Sequence, residues 1–272
     1  MFLERKMTSY GKPRKFLDFA ALGGYHSLQD ATSAMEKRFT ALVLPIGDED
    51  PDEAYSAIAY EKGFTFLLYL ERLVGEAKFG KFLHDYLQAF AGKTITSSEF
   101  REYVQEYFDK DSIGEVDWDK WYHATGLPPV ALDYDQSMIE ESKRLAQDWV
   151  NRDRKGGDEP STSIAQWTSN QITCFLDELL ELTDRRPLMK TTVQALCGRY
   201  KFDATKNAEV LFRYCKLAIA AEDETVVPVT VRFITSQGRM KYIRPLYKAL
   251  FKSKMGKSLA TKTFLDNMES YQ

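Results

Sequence analysis

The sequence predicts a mainly α-helical protein, and three observations carry that prediction. Apolar residues recur at three- and four-residue spacing through most of the chain, which is the repeat of one helix face. Gly, Pro and short polar clusters punctuate those runs, as expected of helices joined by short turns. Strand patterns are scarce. The only plausible strand in the first 50 residues is Thr40–Leu44, ahead of Pro45, and one strand cannot make a sheet.

Tyr60–Val74 (YEKGFTFLLYLERLV) is apolar on most faces and reads as a buried helix, with Gly75 placed to end it. Phe79, Phe82, Leu83, Tyr86, Leu87 and Phe90 then trace an amphipathic helix that stops at Gly92. Thr96 and Glu99 have capping-box spacing before the next helix, which carries Phe100, Tyr103, Val104, Tyr107 and Phe108. Gly126 and the paired prolines Pro128-Pro129 interrupt regular structure, so a domain boundary is expected here, ending near Tyr134. Beyond it, helical runs are expected at about 135–150, 168–183, 187–199, 206–221, 226–236, 239–252 and 258–270. The polar, Gly-containing stretch 151–162 (NRDRKGGDEPST) reads as a flexible loop. Short helices joined by short turns suggest stacked hairpins in an α-solenoid-like layer, although no fixed-period repeat is visible.

Composition narrows the function classes. A chain of 272 residues that is 44% hydrophobic and 28% charged can bury one large core or two ordinary ones. Its formal charge of −3 is no polyanion-binding signature, which makes nucleic acid a poor partner. No apolar run approaches the roughly 20 residues needed to span a bilayer, so no membrane role is expected. Cys174, Cys197 and Cys215 are odd in number and far apart, with no CxxC. They read as reduced thiols, and with no signal-peptide pattern at the N-terminus the expected address is cytoplasmic.

Common catalytic signatures are missing. The sequence contains no HExxH, GxSxG, P-loop or GxGxxG. His26, His84 and His123 have no metal-ligand spacing, and His84 beside Asp85 reads as a surface residue. By residue type alone, Tyr60 is a core aromatic at a helix start. Asp52 is a first-turn acid after Pro51, and Arg239 with Lys241 is a solvated basic helix start.

Four colinear blocks change that reading: FAALGGYHSLQD at 19–30, DPDEAYSAIAYEKGFTFLLYLERLVG at 50–75, VDWDKWYHATGLPP at 116–129 and QGRMKYIRPLYKAL at 237–250. Together they resemble the C-terminal portion of the leukotriene A4 hydrolase type of zinc aminopeptidase. The resemblance implies the helical remainder of a thermolysin-like catalytic domain over residues 1–130, followed by an α-solenoid-like C-terminal helical domain over 135–272. It implies that Tyr60 donates to the oxyanion of a tetrahedral intermediate, with Tyr55 lining the same pocket and Asp52 in the substrate cleft. It further implies that Arg239 and Lys241 hold a substrate carboxylate. A neutral phenol is a suitable oxyanion donor, and a guanidinium can grip a carboxylate through two parallel hydrogen bonds.

The resemblance also implies zinc, yet none of these residues match the family's ligands. Glu4 matches a glutamate of the FLER block rather than the third ligand, so both histidines, that ligand and the amine-recognising motif are expected to lie before Met1. The chain is accordingly expected to be a fragment, shorter than its relatives at both ends and without aminopeptidase activity alone. Expected partners are a peptide substrate or ligand, and the missing N-terminal half or a full-length homologue. The alternative left open is a non-catalytic helical interaction scaffold derived from the peptidase.

Overall fold

The computed structural model describes residues 1–45, 47 and 50–271. The chain divides into two compact units, Met1–Gln136 and Ser137–Gln272. Both are built from helices, and no strand occurs among the described residues, in keeping with a mainly α fold. No described helix is long and apolar enough to cross a membrane.

The first unit contains α1 (Phe2–Thr8), α2 (Lys15–Ala34), α3 (Pro51–Ala54), α4 (Ala57–Val74), α5 (Glu76–Ala89), α6 (Ser97–Tyr107), α7 (Lys110–Ile113) and α8 (Trp118–His123). Its centre is α4, which packs against α1, α2, α5 and α7. Ile58, Phe64, Phe66, Leu68 and Leu70 of α4 are each no more than 2% exposed, as an all-round apolar helix requires. The helix begins where the Ser56 hydroxyl accepts from the Ile58 amide at 3.2 Å. It ends at Gly75, whose φ of +88° suits a residue without a Cβ. The Thr96–Glu99 capping box forms as the spacing predicts, with Thr96 N to Glu99 Oε2 at 2.7 Å and Glu99 N to Thr96 Oγ1 at 3.2 Å.

Thr40–Leu44 is not a strand. A 3₁₀ turn over Lys37–Thr40 runs into bends, and the Val43 amide donates to the Tyr122 carbonyl at 2.9 Å, at the end of α8. With no extended neighbour to pair with, the segment finds its backbone partner at a helix terminus.

The second unit contains α9 (Ser137–Lys155), α10 (Ser169–Leu182), α11 (Lys190–Tyr200), α12 (Ala208–Ala220), α13 (Val227–Thr235), α14 (Met240–Lys252) and α15 (Lys257–Asn267). Its main packing runs in sequence from α9 to α10, α12, α14 and α15, the stacked arrangement that the hairpin pattern suggested. One core joins them, including Trp149, Phe175, Leu196, Tyr214 and Leu246. The predicted loop 151–162 is helical up to Lys155. Asp153 Oδ1 accepts from the Met189 amide at 2.7 Å, and Arg154 donates to the Pro187 carbonyl at 3.2 Å. Residues that read as solvated loop thus tie the end of α9 to the turn before α11, and the loop proper begins at Gly156.

Candidate active site

The motif DPDEAYSAIAY places two short turns of structure in succession. Asp50 Oδ1 accepts from the Asp52 amide at 3.0 Å and starts α3, leaving Asp52 exposed in the first turn. Tyr55 follows at the end of α3, Ser56 caps α4, and Tyr60 lies one turn into α4. The Tyr55 and Tyr60 hydroxyls are 2.6 Å apart and their rings meet edge to face. Both side chains are open to solvent, at 67% and 45% exposure.

Two hydroxyls in one hydrogen bond share a single proton, so the pair keeps a second proton for an outside acceptor. The bond to Tyr60 raises the Tyr55 phenol above its ordinary value. The arrangement is a small donor site with hydroxyls directed from one helix start.

That helix start is anchored by the two charged residues that follow Tyr60. Glu61, next in sequence, is buried and receives two parallel bonds from Arg5 of α1, at 2.7 and 2.9 Å. The Arg5 guanidinium also lies 4.3 Å from the centre of the Phe64 ring. Gly24 of α2 makes room for the pair, since a Cβ there would sit 2.1 Å from Glu61 Oε2 and 2.4 Å from an Arg5 nitrogen. Lys62 is 0% exposed and donates to the carbonyls of Thr40, Ala124 and Gly126 at 3.0, 2.7 and 3.0 Å. Burial brings the Lys62 ammonium down to about 8, while three carbonyl acceptors surround it. Sequence reasoning did not single out Arg5, Glu61, Lys62 or Gly24. The available signal was two adjacent charges, Glu61 and Lys62, inside a run that is otherwise apolar.

Arg239 and Lys241 belong to the second unit, whereas Asp52, Tyr55 and Tyr60 belong to the first. Arg239 caps α14 and is exposed, with its guanidinium 5.5 Å from the centre of the Tyr242 ring. Lys241 is paired with Glu209 of α12, which also accepts from Tyr242 at 2.8 Å and from Arg213 at 2.8 Å. Burial pushes the Glu209 carboxyl up, but these three donors outweigh it and hold it down at about 2. Of the basic pair, Arg239 is without a carboxylate partner among the described residues, and Lys241 is held within its own unit.

Among the described residues, no group of three or more His, Cys, Asp or Glu side chains is placed to hold a metal ion. His84 is exposed and reaches only its neighbour Asp85, at 3.4 Å. The described residues do not fit a zinc site. A groove of about 760 Å³ in the first unit, lined by Leu3, Met7, Tyr10 and Leu17, contains neither Tyr55 nor Tyr60.

Residues 2–121 match the Peptidase family M1 domain, and residues 167–272 match the C-terminal domain of leukotriene A4 hydrolase. The two matched stretches are colinear and together take in most of the chain. Over nearly its whole length the chain is similar to the C-terminal portion of leukotriene A4 hydrolase-type proteins. It is 34% identical to leucine aminopeptidase 2 of Ajellomyces capsulatus over 99% of this chain and 44% of that protein. It is equally 34% identical to the leukotriene A-4 hydrolase homolog of Botryotinia fuckeliana, over 100% of this chain and 42% of the relative. Native leukotriene A4 hydrolase from Saccharomyces cerevisiae superposes with a TM-score of 0.88 at 28% identity, over 99% of this chain and 46% of that one. The chain therefore spans less than half the length of these relatives.

Proposed function

We propose that this chain supplies the transition-state and carboxylate-binding residues of a zinc aminopeptidase that removes N-terminal residues from peptides, and that it is inactive by itself. The observation that carries the reading is the Tyr55–Tyr60 hydroxyl pair at 2.6 Å, on a helix start fixed by buried charges. In this reading Tyr60 donates to the oxyanion that develops at the scissile carbonyl, Tyr55 holds the Tyr60 hydroxyl in place, and Asp52 borders the substrate cleft. Arg239 grips a free substrate carboxylate, with Lys241 as its neighbour of the same sign. In this reading residues 1–130, within the first unit, are the peptidase-domain portion, and the C-terminal helical domain, expected over 135–272, takes in the whole of the second unit.

One oxyanion donor contributes about 10²–10³-fold to rate, far short of what peptide hydrolysis needs. The 272 residues contain no HExxH, so zinc ligands and the general base must come from another polypeptide segment. Three free cysteines agree with a reducing cytoplasmic compartment. A second reading, a non-catalytic helical scaffold, is favoured by the lack of a metal-donor group among the described residues.

Complementation separates the two. The purified chain is assayed alone and with a separately expressed HExxH-bearing half of a homologous peptidase. We expect no turnover alone, turnover on mixing, and loss of turnover by about 10²–10³-fold in Tyr60→Phe with assembly intact. Equal turnover in Tyr60→Phe would remove Tyr60 from the chemistry, and no turnover in any mixture that assembles would favour the scaffold.

A further inference from the structure

The net charge of −3 conceals a local asymmetry. Between Thr225 and Leu265 the chain carries nine Lys and Arg residues and no Asp or Glu. Among the described residues, only Lys241 of these nine is paired with a carboxylate. The rest lie on the outer surface of α13–α15 and the turns between them, within the second unit. Arg244, Lys248 and Lys252 are all exposed and recur at four-residue spacing, which forms one row along α14. Lys257 and Lys262 add exposed positive charge on α15.

Beside this row runs an open and almost wholly apolar groove of about 360 Å³, floored by Tyr247, Phe251, Ala260 and Phe264. Lys248 and Lys252 form its α14 rim. Phe251 is 51% exposed, Phe264 44% and Met268, one turn further along, 51%. Burying such surface is favourable by about 25 cal/mol per Å² of apolar area. Leaving it beside Lys248 and Lys252, neither paired with a carboxylate among the described residues, makes it a poor self-contained surface and a good complementary one.

We infer that this groove docks an amphipathic helix of a partner protein whose apolar face is flanked by carboxylates. This inference is independent of the peptidase reading and goes beyond it. The partner's geometry follows from the groove. Arg244 to Lys252 spans about 12 Å along α14 at 1.5 Å per residue, which matches acidic side chains at i, i+4 and i+8 of a packed helix. Apolar side chains on that helix's adjoining face enter the space over Phe251 and Phe264.

Two other anionic partners fit less well. Single-stranded nucleic acid needs open ring faces on which bases stack. Here the Phe264 ring is stacked on Tyr271 and meets Tyr247 edge-on, and the Lys257 ammonium lies over Phe251 at 5.3 Å. The groove floor also offers almost no polar atoms to base edges. An anionic membrane is flat and does not fill a groove between two helices, which a rod of one helix does.

The test uses the full chain and three probes: a labelled synthetic helix with Leu on one face and flanking Glu, phosphatidylserine vesicles, and a single-stranded oligonucleotide. Binding is followed by fluorescence anisotropy and vesicle co-sedimentation, at low and high salt. We expect the acidic helix to bind in preference to the other two, and to weaken as salt rises. Binding should fall by about ten-fold in Lys248→Glu/Lys252→Glu. Phe251→Ser should weaken binding at high salt, where a contact made by charge alone would show no change. All three side chains are exposed, so far-UV circular dichroism should match the unsubstituted chain. Unchanged affinity in the lysine variant overturns the proposal. So does equal binding of a Glu-only peptide without Leu, or stronger binding to the vesicles or the oligonucleotide.

Discussion

Two adjacent glycines on α2 should respond oppositely to the same substitution. Gly23 is exposed and a Cβ there meets nothing within 4 Å, so Gly23→Ala should stabilise the first unit by about 0.5–1 kcal/mol through helix propensity and reduced unfolded-state entropy. At Gly24 the same propensity gain is available, but the new carbon would lie 2.1 Å from Glu61 Oε2 and 2.4 and 2.7 Å from the Arg5 nitrogens. Those atoms are ends of side chains, yet neither can swing away freely, because each holds the other in a two-bond pair with side-chain exposures of 11% and 8%. Relief requires breaking the pair or moving α2 from α4. Overpacking of this kind costs about 1–3 kcal/mol, and separating a buried pair costs about 3–5 kcal/mol. We expect Gly24→Ala to destabilise by at least about 2 kcal/mol net, a shift in Tm of several degrees for a unit of this size. Urea unfolding followed by circular dichroism gives the total, and peptide-level hydrogen exchange over α1, α2 and α4 assigns it to the first unit. In a Glu61→Ala background the Gly24→Ala penalty should shrink, because the clashing carboxylate is gone. Equal stability of the Gly23 and Gly24 variants, or an unchanged penalty in that background, would refute the packing argument.

Lys62→Met should destabilise the first unit by about 3 kcal/mol or more, since it leaves the carbonyls of Thr40, Ala124 and Gly126 without their buried donor; urea midpoints check it, and a loss under 1 kcal/mol would count against the three-carbonyl cage. Glu209 should govern acid stability of the second unit. Its carboxyl sits at about 2 in the fold against an ordinary 4.5, so its stabilisation is complete above 4.5 and is lost as pH falls from 4.5 toward 2. Glu209→Gln should flatten that part of an acid-unfolding curve, and an identical curve would show that the Lys241, Arg213 and Tyr242 bonds contribute nothing. In a complemented enzyme, Arg239→Ala should raise KM about ten-fold for substrates with a free carboxylate and leave kcat alone. A KM that does not move would place Arg239 outside the substrate site.

What the sequence alone could establish is what is local. The Thr96–Glu99 box, the glycine stop at Gly75 and the apolar run of α4 are each settled within a few residues, because helix starts and ends depend on backbone groups one turn away. The tyrosines were not: by residue type Tyr60 read as a core aromatic, whereas the structure leaves it 45% exposed, and only the resemblance carried by the colinear blocks singled out Tyr55 and Tyr60. Only the tertiary structure decided the rest. The Arg5–Glu61 bond joins residues 56 apart, and Lys62 reaches carbonyls 22, 62 and 64 residues away. Glu209 captures Lys241 from 32 positions off, which leaves Arg239 as the unpaired partner of a pair that looked equivalent in sequence. The end of α9 shows the same limit: its charged residues resemble a solvated loop until Asp153 and Arg154 meet the turn before α11. A charge in a sequence carries no record of whether it will be solvated or buried, because that depends on which distant group packing brings to it.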